Sequence, residues 1–236
     1  MLFTRLSGAS RQTAPWLPSQ CAVCHAWPAE RICTDCAARF AAPVHRCAGC
    51  AQRVPEPLAR CGTCLRHPLA LDTCVAAVDY AYPWDGLLTQ FKFHADPGAA
   101  RSLAALMRRA AEHGGVLGPD TVLVPLPLAR GRLRQRGYNQ ALLLARALRH
   151  GGPVQPHWLV RLRETPAQSA LPRAERLRNL HGAFSVPTAA QAALTQQRLL
   201  LVDDVMTTGA TLHAAATALR AAGARHVDAL VLARTP

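Results

Sequence analysis

Lysine is almost absent from this chain. Lys92 stands alone among 27 basic residues, and acidic residues number only 14 in a total of 236. The resulting formal charge of +13 favours polyanionic partners such as nucleic acid or phosphorylated small molecules, and it carries no information about fold. A GC-rich genome, which spells basic positions as arginine, leaves the same bias. Long apolar runs are also missing. No stretch approaches the roughly 18 residues of a membrane span, and the opening MLFTRLSGASRQTAPWLPSQ lacks the continuous apolar core of a secretory leader. These absences point to a cytoplasmic protein with a flexible tail over residues 1–20. Aromatic residues are few, at 5%, yet half of all residues are hydrophobic, enough for one substantial core and a small appended module. No Ser/His/Asp or Cys/His signature of covalent catalysis stands out.

Cysteine is what the chain has in excess. Eight of its nine cysteines form four C-x2-C pairs, Cys21/Cys24, Cys33/Cys36, Cys47/Cys50 and Cys61/Cys64. Two such pairs complete a tetrahedral four-thiolate shell, with sulfurs about 2.3 Å from a zinc ion. Four pairs therefore imply two Zn²⁺ ions. The segment 21–66 holds few large apolar residues, too few to fold by burial alone, and a structural zinc ion contributes about 10 to 16 kcal/mol of apparent binding energy to such a module. The expected role is structural, in a double zinc ribbon. A disulfide framework is disfavoured by the lack of an export signal, a redox site by the tandem repetition, and an iron-sulfur site by the regular pairing. Sequential pairing of the knuckles, 21/24/33/36 and 47/50/61/64, is preferred because the spacers of eight and ten residues suit local closure; crossed pairing is the alternative. His25, His45 and His67 are expected at the surface. Cys74 opens the strand-like CVAAVDYAY as a small buried hydrophobe.

Behind residue 73 the pattern alternates. Strands are expected over 74–82, 121–128, 157–163, 198–202 and 224–233, and helices over 84–94, 101–113, 137–150 and 210–222. Val- and Leu-rich strands alternating with helices indicate an α/β domain over 74–236, its mainly parallel sheet covered on both faces. Ligands of such sheets bind beyond the carboxyl ends of the strands. LLLVDDVMTTGATL (199–212) places Asp203 and Asp204 there, followed by Thr207, Thr208, Gly209, Ala210 and Thr211 at the start of a helix. Two carboxylates suit sugar hydroxyls or Mg²⁺. A glycine turn with hydroxyls at a helix N-terminus suits a phosphate. Together they describe a sugar-phosphate site.

LLLVDDVMTTGAT resembles the phosphoribosyl pyrophosphate (PRPP) signature of type I phosphoribosyltransferases. With LVPLPLARGRLRQRGYNQALLLARAL (123–148), RETPAQSALPRAERLRNLHGAF (163–184) and FKFHAD (91–96), the chain from about residue 21 to 235 is similar to the competence protein F (ComF) family of amidophosphoribosyltransferase-like proteins, which carry a double zinc ribbon in front. The resemblance implies a Rossmann-like phosphoribosyltransferase fold. It gives Asp203 and Asp204 the ribose hydroxyls, and Thr207 through Thr211 the 5′-phosphate, with Val205 and Met206 between them in the PRPP segment. Leu128, Ala129 and Arg130 become the pyrophosphate loop, with Arg130 assisting catalysis and Arg132, Arg134 and Arg136 adding charge nearby. Glu164 to Arg178 corresponds to a mobile loop closing over the site. An active member would be a pentosyltransferase that displaces pyrophosphate from PRPP with Mg²⁺ toward an unassigned acceptor. The alternative, which the family name raises, is DNA handling in natural transformation alongside other competence proteins. Arg31, Arg39, Arg46, Arg53, Arg60 and Arg66 would then grip single-stranded DNA, with Trp27 and Phe40 either stacking bases or packing in a small core.

Overall fold

Leucine and valine dominate two nine-residue strands, β5 (Arg198–Met206) and β6 (His226–Arg234). These pair in parallel at the centre of a four-stranded sheet completed by β1 (Cys74–Asp79) and β2 (Thr121–Pro125), in the order β1-β6-β5-β2, with every pairing parallel. The structure, a computed structural model, describes residues 19–93, 96–148, 152–163, 180 and 182–236. Buried on both faces, the strands carry almost unbroken apolar runs, as parallel sheets require. Leu199 and Leu201 face one core together with Val227, Ala229 and Val231, and Ala215, Ala216 and Leu219 of α8 (Ala210–Ala221) cover it. Leu200, Val202, Leu230 and Leu232 face the other. That side is covered by α3 (Trp84–Phe93), α4 (Ala100–His113, entered through a 3-10 turn at Pro97–Ala99) and α6 (Gln140–Ala147).

Several elements differ from the sequence expectation. The strand expected over 157–163 is a two-residue β3 (Val160–Arg161), antiparallel to β4 (Phe184–Ser185). β1 stops at Asp79 and β2 at Pro125. The helix expected from 137 starts at Gln140, where the Asn139 side chain accepts from the Leu142 N–H at 3.3 Å. A separate α5 (Arg130–Arg136) precedes it and ends at Gly137 with φ 77°, a left-handed stop. α7 (Thr188–Leu194) was not expected: TAAQAAL contains no charge and little apolar periodicity to announce it. β5 runs four residues beyond Val202, through the acidic pair.

The cysteine-rich segment carries two short helices, α1 (Thr34–Phe40) and α2 (Gly62–Arg66). It has no core of its own. Cys21, Ile32, Cys36 and Ala37 join the core of α3 and α4, whereas Cys47, Cys50, Ala51 and Cys64 join the core of α8. The segment thus lies across the β1 edge and reaches both faces of the sheet. At the amino ends of the strands, the fully buried Asp228 accepts from Arg198, the His226 Nε2 and the Thr73 N–H. Arg220 joins Asp72 at 2.7 Å beside them. Asp72, His226 and Asp228 bring ligand atoms within 4.8 Å of one another, and two guanidinium groups already balance the two carboxylates there. None of the described helices is long and apolar enough to cross a membrane.

Leu200, without exposed surface in the central strand, sets the expected stability response. Leu200→Ala should lower the unfolding free energy by about 2 to 5 kcal/mol through lost burial and the cavity left behind, read from urea denaturation followed by circular dichroism.

Candidate functional site

The carboxyl half of β5 overhangs the sheet. Its pairing with β2 ends at Pro125 and Val202, while its pairing with β6 continues through Asp203/Val231, Val205/Ala233 and Met206/Arg234. One flank of residues 203–206 is therefore bonded to β6, and β2 leaves the other flank open. Strand alternation sends neighbouring side chains to opposite faces, so Asp204 shares the face of Leu200 and Val202. There it meets Lys92, whose Nζ lies 3.1 Å from Asp204 Oδ1. Both side chains are largely buried, at 16% and 12% exposure, so the pair is only weakly screened. Asp203 instead folds back along the strand, its Oδ1 accepting from the Asp204 N–H at 2.8 Å. Burial above all, and then the charge of Asp204, push the Asp203 carboxyl up to about 7, against the lowering pull of that N–H, Lys92 and Arg161.

Met206 ends the strand, and its side chain turns inward, 2% exposed. Its contribution to the site is therefore its backbone. Thr207 and Thr208 follow, exposed and half-buried, and Gly209 caps α8 with φ 78°. A side chain at 209 meets two obstacles. The left-handed conformation disfavours one, and a Cβ there would stand 2.5 Å from Met206 Cε and 2.9 Å from Leu69 Cδ1. The turn is held at this glycine, so the first amide groups of the twelve-residue α8 lie just beyond the overhang.

The remaining expected residues fall around this edge. After β2, the Leu126 N–H donates to the Val202 carbonyl at 3.0 Å, and Asn139 Nδ2 donates to the Leu126 carbonyl at 2.9 Å. Leu128 is half-buried, Ala129 is buried, and Arg130 is exposed at the start of α5. Arg132 is half-buried and Arg134 exposed. Arg136 stacks 4.8 Å over the Phe93 ring and donates to Gln140 Oε1 at 3.2 Å. The loop expected over 164–178 lies outside the described residues. Lys92 was given no role in the sequence expectation. Its signal was compositional: in a chain that otherwise uses only arginine, a lone lysine marks a place where a compact ammonium is wanted.

The cysteines close in sequence order. The ligand atoms of Cys21, Cys24, Cys33 and Cys36 lie within 4.8 Å of one another, and so do those of Cys47, Cys50, Cys61 and Cys64. The two sets repeat one local design. Cys33 and Cys61 cap α1 and α2, each sulfur accepting from the N–H three residues on at 3.4 Å. Cys21 and Cys47 each accept from the N–H of the third cysteine of their set, at 3.5 and 3.2 Å. Burial is the largest effect on the Cys21 thiol and would raise it, but N–H donors from Cys24, Cys33 and Val23 together outweigh it and bring Cys21 down to about 6. Four converging sulfurs, one of them poised as a thiolate, are compatible with a structural zinc ion in each set. His25, His45 and His67 are exposed. Cys74 is buried beside Met206, Sγ to Sδ 3.5 Å, and burial first of all pushes its thiol up to about 12.

Two measurements test this geometry. Gly209→Ala should destabilise the fold by about 1 to 3 kcal/mol through strain and crowding, seen in urea midpoints. Asp203 gives a pH signature. A carboxyl whose value rises from 3.8 to about 7 on folding contributes stability that is fully present below the unfolded value and lost as pH climbs through the folded one. Asp203→Asn should flatten the fall in stability between about pH 4 and pH 7 that the unmodified protein shows.

Residues 165–236 match the family model described as the phosphoribosyl transferase domain. The chain is 33% identical over 175 residues to competence protein F of Haemophilus influenzae, covering 72% of this chain and 76% of that protein. It is 33% identical over 179 residues to the DNA utilization protein YhgH of Escherichia coli, with the same coverage. With competence protein ComFC of Bacillus subtilis it shares 35% identity over 151 residues, 63% of this chain and 58% of that one. The chain belongs to the ComF family of phosphoribosyltransferase-like proteins.

Proposed function

We propose that this protein binds PRPP at the carboxyl end of β5 and transfers its phosphoribosyl group to an acceptor, releasing pyrophosphate. The observation that carries the reading is the overhang itself: an acidic pair, bonded on one flank only among the described residues, runs directly into the glycine cap of a twelve-residue helix. Asp203 and Asp204 would accept hydrogen bonds from the two ribose hydroxyls. The α8 amides, with the hydroxyls of Thr207, Thr208 and Thr211, would hold the 5′-phosphate, with Val205, Met206 and Ala210 supplying backbone. Leu128, Ala129 and Arg130 face the pyrophosphate, and Mg²⁺ bound with it would neutralise the departing charge. Rate acceleration would then rest on positioning and charge, and no nucleophilic side chain is required.

Lys92 places a cation beside the acidic pair. Its ammonium pairs with Asp204 beside Asp203, and an arriving sugar must either share Asp204 with Lys92 or displace it. The two cysteine sets are assigned one zinc ion each, in a structural role. The names of the relatives support a setting in competence and DNA utilization; a cytoplasmic location is part of this proposal. Direct capture of single-stranded DNA by the cysteine-rich segment is not favoured, because its arginines are largely engaged. Arg31 pairs with Asp96, Arg46 and Arg53 both pair with Asp79, and Arg60 donates to the Asp72 carbonyl. Phe40 packs edge-on against Tyr82 at 5.8 Å, while Trp27 is exposed.

PRPP with Mg²⁺ should raise the melting temperature of the purified protein, since a ligand held only by the folded state stabilises it. Asp204→Ala should remove most of that rise; an equal rise in the variant would place the sugar elsewhere. A pyrophosphate-release screen with bases and nucleosides then identifies the acceptor.

A further inference from the structure

The far side of the turn is joined to the second cysteine set through Arg234 and through Leu69, which follows that set. Arg234, at the end of β6 and 9% exposed, donates through Nε to the Cys50 carbonyl at 2.9 Å and through an Nη to the Met206 carbonyl at 3.4 Å. The same Met206 carbonyl accepts from the Thr235 N–H at 3.0 Å. One buried guanidinium thus joins a residue of the second set to the last residue before the turn. Side chains make the same connection. Met206 lies between Cys74, 3.5 Å from its sulfur, and the space that Gly209 must leave empty. Leu69, three residues past α2, closes that space from the other side.

The chain leaving this set is also fastened to α8. The Ala70 N–H donates to His213 Nδ1 at 3.0 Å, and Arg220 Nε donates to the Ala70 carbonyl at 2.9 Å. The first cysteine set has none of these ties among the described residues. It packs on the opposite face, where Trp84 Nε1 donates to the Phe40 carbonyl at 2.9 Å and Arg31 pairs with Asp96. The Arg234 guanidinium also donates to the Thr235 carbonyl and to Thr235 Oγ1, and of its acceptors the Cys50 carbonyl is the one that belongs to a cysteine set. Closure of that set around an ion would fix this carbonyl.

We propose that Arg234 is a positioning residue that passes the closure of the Cys47/Cys50/Cys61/Cys64 set to the phosphate turn, so that sugar-phosphate affinity depends on metal in the second set and not in the first. The proposal rests on the turn being the phosphate site, as argued above. It makes the second set part of the binding apparatus, whereas the first stabilises the α3 and α4 face.

The test uses the zinc-loaded full chain, with zinc counted per protein and two probes titrated by calorimetry: ribose 5-phosphate for the turn, and pyrophosphate with Mg²⁺ for the opposite side of the site. Cys33→Ser should lose one zinc ion and keep its ribose 5-phosphate affinity. Cys61→Ser should also lose one, and bind ribose 5-phosphate about tenfold more weakly, the weight of one hydrogen bond to a charged group, with pyrophosphate affinity unchanged. Arg234→Met should keep both ions and reproduce that selective loss. General loosening would weaken both probes together, and that result overturns the proposal. So does equal ribose 5-phosphate binding by Cys33→Ser and Cys61→Ser, or undiminished binding by Arg234→Met. Should Cys61→Ser not fold, Arg234→Met decides alone. If the unmodified protein binds no ribose 5-phosphate, the phosphate assignment of the turn fails instead.

Discussion

The pairing of β5 with β6 outlasts its pairing with β2 by four residues, and the site depends on that overhang. Within the sheet, Leu199 to Val202 are buried on both faces and carry no polar function. Past Val202 the strand keeps its hydrogen bonds to β6 and loses a neighbour, so polar side chains can sit on rigid backbone at a sheet edge. Asp203 and Asp204 use this position. A carboxylate pair in the interior of such a sheet would be prohibitively unfavourable, and on a loop it would be poorly placed.

Rigidity behind the site comes from an unusual division of the cysteine-rich segment. Its two sets share a local design, yet each adds its cysteines to a different core of the sheet. The segment crosses the β1 edge, where Cys74 donates its N–H to the Ala48 carbonyl at 2.7 Å. Covering an edge strand removes its open hydrogen-bonding groups. The apolar residues that 21–66 lacks are supplied by the sheet domain, with Val78 and Trp84 on one side and Leu69 and Met206 on the other. The second side is also the underside of the turn at residues 207–209.

Asp203 shows how burial and charge combine at this edge. With Lys92 committed to Asp204 at 3.1 Å, Asp203 has, among the described residues, a neighbouring N–H and more distant cations to support its charge. Its carboxyl therefore holds a proton toward neutrality. Hydroxyl donors from a sugar would supply what Asp203 lacks.

Much of this was legible in the chain. The Val- and Leu-rich runs announced parallel strands, the C-x2-C spacing announced two four-sulfur sets, and DDVMTTGAT announced a polar strand end followed by a glycine-capped helix, because each is a local pattern with a local cause. α7 was not legible, since TAAQAAL is neither strongly amphipathic nor charged, and its place is set by packing of Ala190 and Leu194. The two-residue β3 was overestimated because HWLVRLR alternates like a strand but, among the described residues, pairs as a strand with Phe184 and Ser185 alone. By itself the sequence determined the fold class, the cysteine sets and the acidic and threonine elements of the site. Tertiary structure alone decided that Lys92 reaches Asp204 across 112 positions of chain, that β2 stops short of β5, and that Arg234 links Cys50 to Met206. Such contacts arise from packing between distant segments, and no local periodicity encodes them.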